Sequence, residues 1–148
     1  MMQKALEPQL AAWRASGNLV FEFRHRVVHT GTDAEIAAQA AECALAQGRF
    51  WEYHATLLAN QQGQFPKEKL KRLAADLKLD SAQFSQCLDS GKSAANVQQE
   101  TAAAAARGIK VTPTFELNGR VIAAPANATL QQYVTQIVQT VQKEIDKK

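Results

Sequence analysis

Gly108-Ile109-Lys110-Val111-Thr112-Pro113-Thr114-Phe115-Glu116-Leu117-Asn118-Gly119-Arg120-Val121-Ile122 is the stretch on which the fold turns. Its second half has the chemistry of a hairpin. Thr114 to Leu117 and Arg120 to Ile122 are short β-forming runs, and Asn118-Gly119 between them tolerates the positive φ angles of a tight type I′ turn. Gly108 stops the alanine-rich helical run from Ser93 to Arg107, so the chain changes from helix to strand within these few residues.

Downstream, Thr129-Leu130-Gln131-Gln132 is a capping-box pattern. It opens a helix whose buried stripe is Leu130, Tyr133, Val134, Ile137, Val138, Val141 and Ile145. Lys143 and Lys147 lie near its C-terminus, where the helix dipole favours positive charge.

Upstream lies a block of helices. Thr32-Asp33-Ala34-Glu35 reads as a capping box that opens a helix with Ile36, Ala40, Cys43 and Ala44 on one face, closed by Gly48. Phe50, Trp51, Tyr53, His54, Leu57 and Leu58 continue as an aromatic-rich helix. Pro66 suits a first helical position, with Leu70, Leu73, Ala74 and Leu77 following at helical spacing. Asp80-Ser81-Ala82-Gln83 caps a short helix that carries Phe84, Cys87 and Leu88.

At the N-terminal end, Leu6, Leu10 and Trp13 fall at helical spacing around Pro8, which should kink that helix, and Gly17-Asn18 ends it. Leu19-Val20-Phe21-Glu22-Phe23 is short, apolar and rich in β-formers, the pattern of a strand buried on both faces. The order is therefore helix, strand, helical block, hairpin, helix: an α/β chain.

The 148 residues suffice for one domain with a real core, and an apolar fraction of 46% with 21% charged is that of an ordinary globular protein. The net charge of +3, from 17 basic and 14 acidic residues, is small and interspersed, which argues against a nucleic-acid partner. No run approaches the roughly 18 apolar residues of a membrane span, and Met1 to Trp13 has no apolar signal-peptide core.

Cys43 and Cys87 belong to no Cys-x-x-Cys and to no Cys/His metal spacing. On the residues alone they are buried free thiols, one structural disulfide, or a second redox pair. His25 and His29 with Glu22 have no metal-ligand spacing, so no metal and no cofactor is expected. His54 and the aromatics Phe50, Trp51 and Tyr53 read as core rather than as a binding box.

Several pieces match one family in order and spacing: Phe23-Arg24-His25, Ala40-Ala41-Glu42-Cys43-Ala44, Gln47-Gly48-Arg49-Phe50-Trp51-Glu52-Tyr53-His54, Cys87-Leu88-Asp89-Ser90-Gly91, and Gly108 to Phe115 followed by Asn118-Gly119. Together they resemble the DsbA family of thioredoxin-fold thiol oxidoreductases over nearly the whole chain. The resemblance implies a thioredoxin-like fold interrupted by a helical insertion, with residues 1–31 and 108–148 forming an incomplete thioredoxin-like domain and 32–107 the insertion. It implies that Val111-Thr112-Pro113 is a cis-proline loop that presents backbone to an extended peptide or protein substrate. It implies a Cys43–Cys87 disulfide tying two insertion helices, worth about 4 kcal/mol for a loop of this size. It also suggests a periplasmic or other extracytoplasmic setting.

The chain departs from the family at one decisive point. The family's first strand and its Cys-x-x-Cys would precede the helix that begins here, and nothing in the sequence replaces them. The expectation is a DsbA-like protein lacking the first strand and redox-inactive as given, with a non-catalytic peptide- or protein-binding module as the alternative. In the family that strand lies between the second strand and the hairpin. The gap should therefore be closed, either by Leu19 to Phe23 pairing directly with Thr114 to Leu117 or by a strand from another chain in a complemented or swapped oligomer.

Overall fold

In the computed structural model, which describes residues 2–29 and 32–147 with side chains from Ala5 onward, Asn118 and Gly119 take φ values of 50° and 79°. They join strands β1 (Phe115–Leu117) and β2 (Arg120–Ile122) in the expected tight antiparallel hairpin. The register pairs Phe115 with Ile122, Glu116 with Val121 and Leu117 with Arg120.

The chain divides into two units, one formed by Met1–Phe23 with Val111–Lys148 and the other by Arg24–Lys110. The first holds helix α1 (Met2–Ala15), the hairpin and helix α7 (Leu130–Ile145). Leu6, Leu10 and Trp13 of α1 form its core with Ile122 of β2 and with Tyr133, Val134, Ile137 and Val141 of α7. Two polar ties fix these apolar faces. The Trp13 indole N–H donates to Gln142 Oε1 at 3.0 Å, and the Tyr133 hydroxyl donates to the Ile122 carbonyl at 2.7 Å. The capping box at the start of α7 forms as read: Gln132 N donates to Thr129 Oγ1, and Thr129 N donates to Gln132 Oε1.

Leu19 to Phe23 corrects two expectations. The segment is extended, but it belongs to no sheet; among the described residues the sheet has only two strands, β1 and β2. It does not slide over to pair with Thr114 to Leu117: the described sheet pairs β1 with β2 alone, and residues 19–23 make no ladder in it. Nor is it buried on both faces. Leu19 and Phe21 pack against the unit's core while Val20 is 84% exposed. Anchored on one side only, the run keeps a strand's alternation without a strand's ladder.

The second unit consists of helices α2 (Asp33–Leu45), α3 (Phe50–Ala59), α4 (Lys67–Asp76), α5 (Ser81–Asp89) and α6 (Ala94–Ala106). Its core contains Ala40, Ala41, Cys43 and Ala44 of α2, Tyr53 of α3, Leu70 and Ala74 of α4, Phe84 and Leu88 of α5 and Val97 of α6. The small residues on α2 let its neighbours approach closely. The Tyr53 hydroxyl, fully buried, donates to the Leu70 carbonyl at 2.9 Å. Asp80 caps α5 as read, accepting from Gln83 N at 2.8 Å.

Thr32 is the N-cap of α2, but the expected capping box does not form. Its hydroxyl donates instead to the His29 carbonyl at 2.6 Å. Asp33 is likewise used elsewhere, its carboxylate accepting from Phe65 N at 2.8 Å. Pro66 is the N-cap of α4 rather than its first helical residue.

The helical unit spans Arg24–Lys110. Arg24 to Val27 belong to it because their polar groups bond into it: His25 N donates to Glu100 Oε2 at 2.7 Å, Val27 N to Thr101 Oγ1 at 3.1 Å and Arg26 Nε to the Ile109 carbonyl at 3.0 Å. The expected limit at residue 31 falls outside the described residues.

Candidate functional site

Val111, Thr112 and Pro113 are all exposed and lead directly into β1. The Thr112–Pro113 peptide bond is cis. The Thr114 hydroxyl donates back to the Val111 carbonyl at 2.6 Å, closing the loop on itself. Val111 is 68% exposed, an uncovered apolar side chain.

The hairpin end of this loop is held from beneath. Phe115 meets the Tyr133 ring edge-on at 5.9 Å between centroids. The Tyr133 phenol is pushed above its usual pKa by burial, a rise partly offset by its hydrogen bond with the Phe115 backbone. Tyr133 therefore stays a neutral hydroxyl that ties β1 and β2 to α7. The arrangement gives an exposed loop on a fixed support.

The loop's own unit holds no group fit for thiol chemistry. Residues 1–23 and 111–148 contain neither cysteine nor histidine. Both cysteines lie in the helical unit, where Cys43 of α2 and Cys87 of α5 form a disulfide with Cα atoms 5.8 Å apart. The Ser93 hydroxyl, just before α6, sits 3.8 Å from Cys43 Sγ and 3.6 Å from Cys87 Sγ.

A second polar cluster in the helical unit was not legible in the sequence. His25 is 5% exposed, and its Nε2 lies 2.9 Å from Glu42 Oε1 on α2. The other oxygen of Glu42 accepts from Asn96 Nδ2 on α6 at 2.7 Å. Glu100, which takes the His25 backbone N–H, also pairs with Arg24 at 3.1 Å. The cluster satisfies buried polar groups and fastens the segment after Phe23 to two helices. The only signal for it was the polar run Arg24-His25-Arg26 directly after an apolar stretch.

Phe50 and Tyr53 are buried, as read. His54 is half-buried and stacks on Phe50 at 5.7 Å, with Trp51 edge-on at 6.2 Å. Burial first, and the charge of His25 second, hold its pKa below the usual histidine value. His25 and His29 do not join Glu22 as a ligand set; among the described residues no group of three or more His, Cys, Asp or Glu is placed to hold a metal ion. Among these residues, too, no helix is long and apolar enough to cross a membrane.

Helix α1, the hairpin and α7 around one core, with a large helical block entering and leaving between them, define a thioredoxin-like α/β domain. Residues 2–137 match the thioredoxin family, and the chain belongs to it. Among curated proteins it is similar to the sodium/proton antiporter NhaA 3 of Salinispora tropica, 42% identical over 94 residues, which are 64% of this chain and 14% of that protein. It is also similar to the sodium/proton antiporter NhaA of Nitrosospira multiformis, 32% identical over 108 residues, 72% of this chain and 17% of that protein. The matching segments are thus a small part of these much longer relatives. No solved structure matches the chain.

Proposed function

We propose that this chain is a DsbA-like thioredoxin-fold module that, as given, performs no disulfide exchange through a Cys-x-x-Cys and instead holds an extended peptide or protein segment at Val111-Thr112-Pro113. The observation that carries the reading is the exposed, self-closed loop feeding β1 in a unit that has no thiol and no imidazole. An extended chain laid along such a loop gains main-chain hydrogen bonds, and the exposed Val111 side chain offers an apolar contact beside them.

The test is binding of dye-labelled, cysteine-free extended peptides followed by fluorescence anisotropy. Pro113→Ala and Val111→Asp should each weaken binding by about tenfold with the circular dichroism unchanged. Absence of saturable binding, or binding indifferent to both changes, sinks the reading. Turnover of a disulfide-containing peptide by the unmodified chain would sink its non-catalytic half. A second copy of the chain is one source of the extended segment. Light scattering at rising concentration then shows a dimer, whereas a monomer leaves a separate peptide as the occupant.

A further inference from the structure

We propose that the Cys43–Cys87 bond is a directional thiol-exchange site, attacked at Cys87 Sγ and releasing Cys43 Sγ toward the Ser93 hydroxyl. The two ends of the bond are unequal. Cys43 is 1% exposed, inside the helical core, whereas Cys87 is partly exposed on α5, between the exposed Gln86 and the buried Leu88. On this difference in residue exposure, the outer cysteine is the end that an incoming thiolate attacks.

The inner sulfur is a poor leaving group by position alone. Cys43 lies in the last turn of α2, where the helix dipole opposes negative charge, and the Glu42 carboxylate is its chain neighbour. Ser93 offsets this. Its hydroxyl meets both sulfurs, at 3.8 Å and 3.6 Å, and can donate to whichever one carries the developing charge.

The exchange balances with a dithiol as the reductant. A thiolate of the dithiol attacks Cys87 Sγ; the new sulfur–sulfur bond forms as the Cys43–Cys87 bond breaks. The electron pair moves to Cys43 Sγ, which takes the Ser93 hydrogen bond and then a proton from solvent. The second thiol of the reductant displaces Cys87 Sγ, which is protonated in turn. The dithiol ends as a disulfide, and both cysteines end as thiols, a two-electron reduction. Helix α5 then keeps its non-covalent ties, among them the packing of Phe84 and Leu88, the reciprocal hydrogen bonds between the Gln47 side chain and the Asp80 backbone at its N-cap, and the pairs that Lys71 and Lys67 make with Asp89. The helical unit thereby responds to thiol redox state without a Cys-x-x-Cys. The inference is independent of peptide holding at Pro113.

The experiment treats the full chain with reduced glutathione under native conditions, quenches with acid, alkylates free thiols and maps both cysteines by peptide mass. Glutathione is expected on Cys87 and the alkyl group on Cys43. Adduct chiefly on Cys43, or none until denaturant is added, overturns the proposal. Ser93→Ala should slow exchange about fivefold with the fold intact by circular dichroism, while Ser93→Thr, which keeps the hydroxyl, retains the rate. Equal rates in all three proteins overturn the part assigned to Ser93.

Discussion

His25 and Glu42 meet from 17 residues apart in sequence, Nε2 to Oε1 at 2.9 Å, with both side chains largely withdrawn from water. Glu42 also accepts from the exposed Asn96 amide, so removing it strands the buried His25 ring nitrogen and frees Asn96 to water. Glu42→Ala should lower stability by about 1–3 kcal/mol, and Glu42→Gln, which can still accept a hydrogen bond, by clearly less. Urea denaturation followed by far-ultraviolet circular dichroism measures both. Equal costs for the two variants would contradict the account of Glu42 as a double acceptor.

The Cys43–Cys87 bond spans a sequence separation of 44 residues. In the chain-entropy picture, closing that loop restricts the unfolded state by about 4 kcal/mol. The double variant Cys43→Ala/Cys87→Ala should fall in stability by an amount of that order, and amide exchange should show the greatest loss of protection in α5. A midpoint unchanged in denaturant would mean that the bond constrains nothing the helices do not already hold.

His54 gives the fold a pH dependence of definite sign. Its folded pKa lies below the ordinary value of 6.5, so the unfolded chain binds the proton more readily. Its contribution is therefore fully present above about pH 6.5 and is lost as the pH falls below that value. Thermal midpoints between pH 7.5 and 5.5 should decline, and His54→Gln should flatten the decline. A steeper decline in the variant would reverse the assignment.

Leu6 is 1% exposed, wedged in the core that α1 shares with α7 and β2. Leu6→Ala leaves a cavity there and should cost about 2–5 kcal/mol. Trp13, in the same cluster, reports the loss by its fluorescence during denaturation.

Local chemistry in the sequence was a good guide wherever the structure satisfies it locally. Asn118-Gly119 makes its turn, Thr129 and Gln132 make their reciprocal cap, and Asp80 caps α5 through a neighbour three residues on. Reading failed where a partner other than the expected one took the bond, near in the chain for Thr32 and far for Asp33. Thr32 lost its capping box to His29, and Asp33 was drawn to Phe65, 32 residues away. The Leu19 to Phe23 run has a strand's composition, but composition cannot state whether a neighbouring strand is there to pair with. The same limit hid the polar cluster. Asn96, Glu100 and Thr101 sit on a helix that looked merely alanine-rich, and only the fold sets them opposite Glu42, His25 and Val27. The Val111-Thr112-Pro113 loop was singled out by the family resemblance rather than by local chemistry. The approach of Ser93 to both sulfurs could not be read from the sequence.

The confinement of every histidine to residues 24–110 makes the molecule self-labelled for spectroscopy. Its imidazole resonances report the helical unit alone, with no overlapping signal from the hairpin unit. Each unit also carries one tryptophan, Trp13 and Trp51, and one tyrosine, Tyr133 and Tyr53. Silencing either indole by a phenylalanine leaves a fluorophore that follows a single unit. Comparing the two melting curves then asks, without any added dye, whether the halves of this chain unfold as one cooperative body or as two.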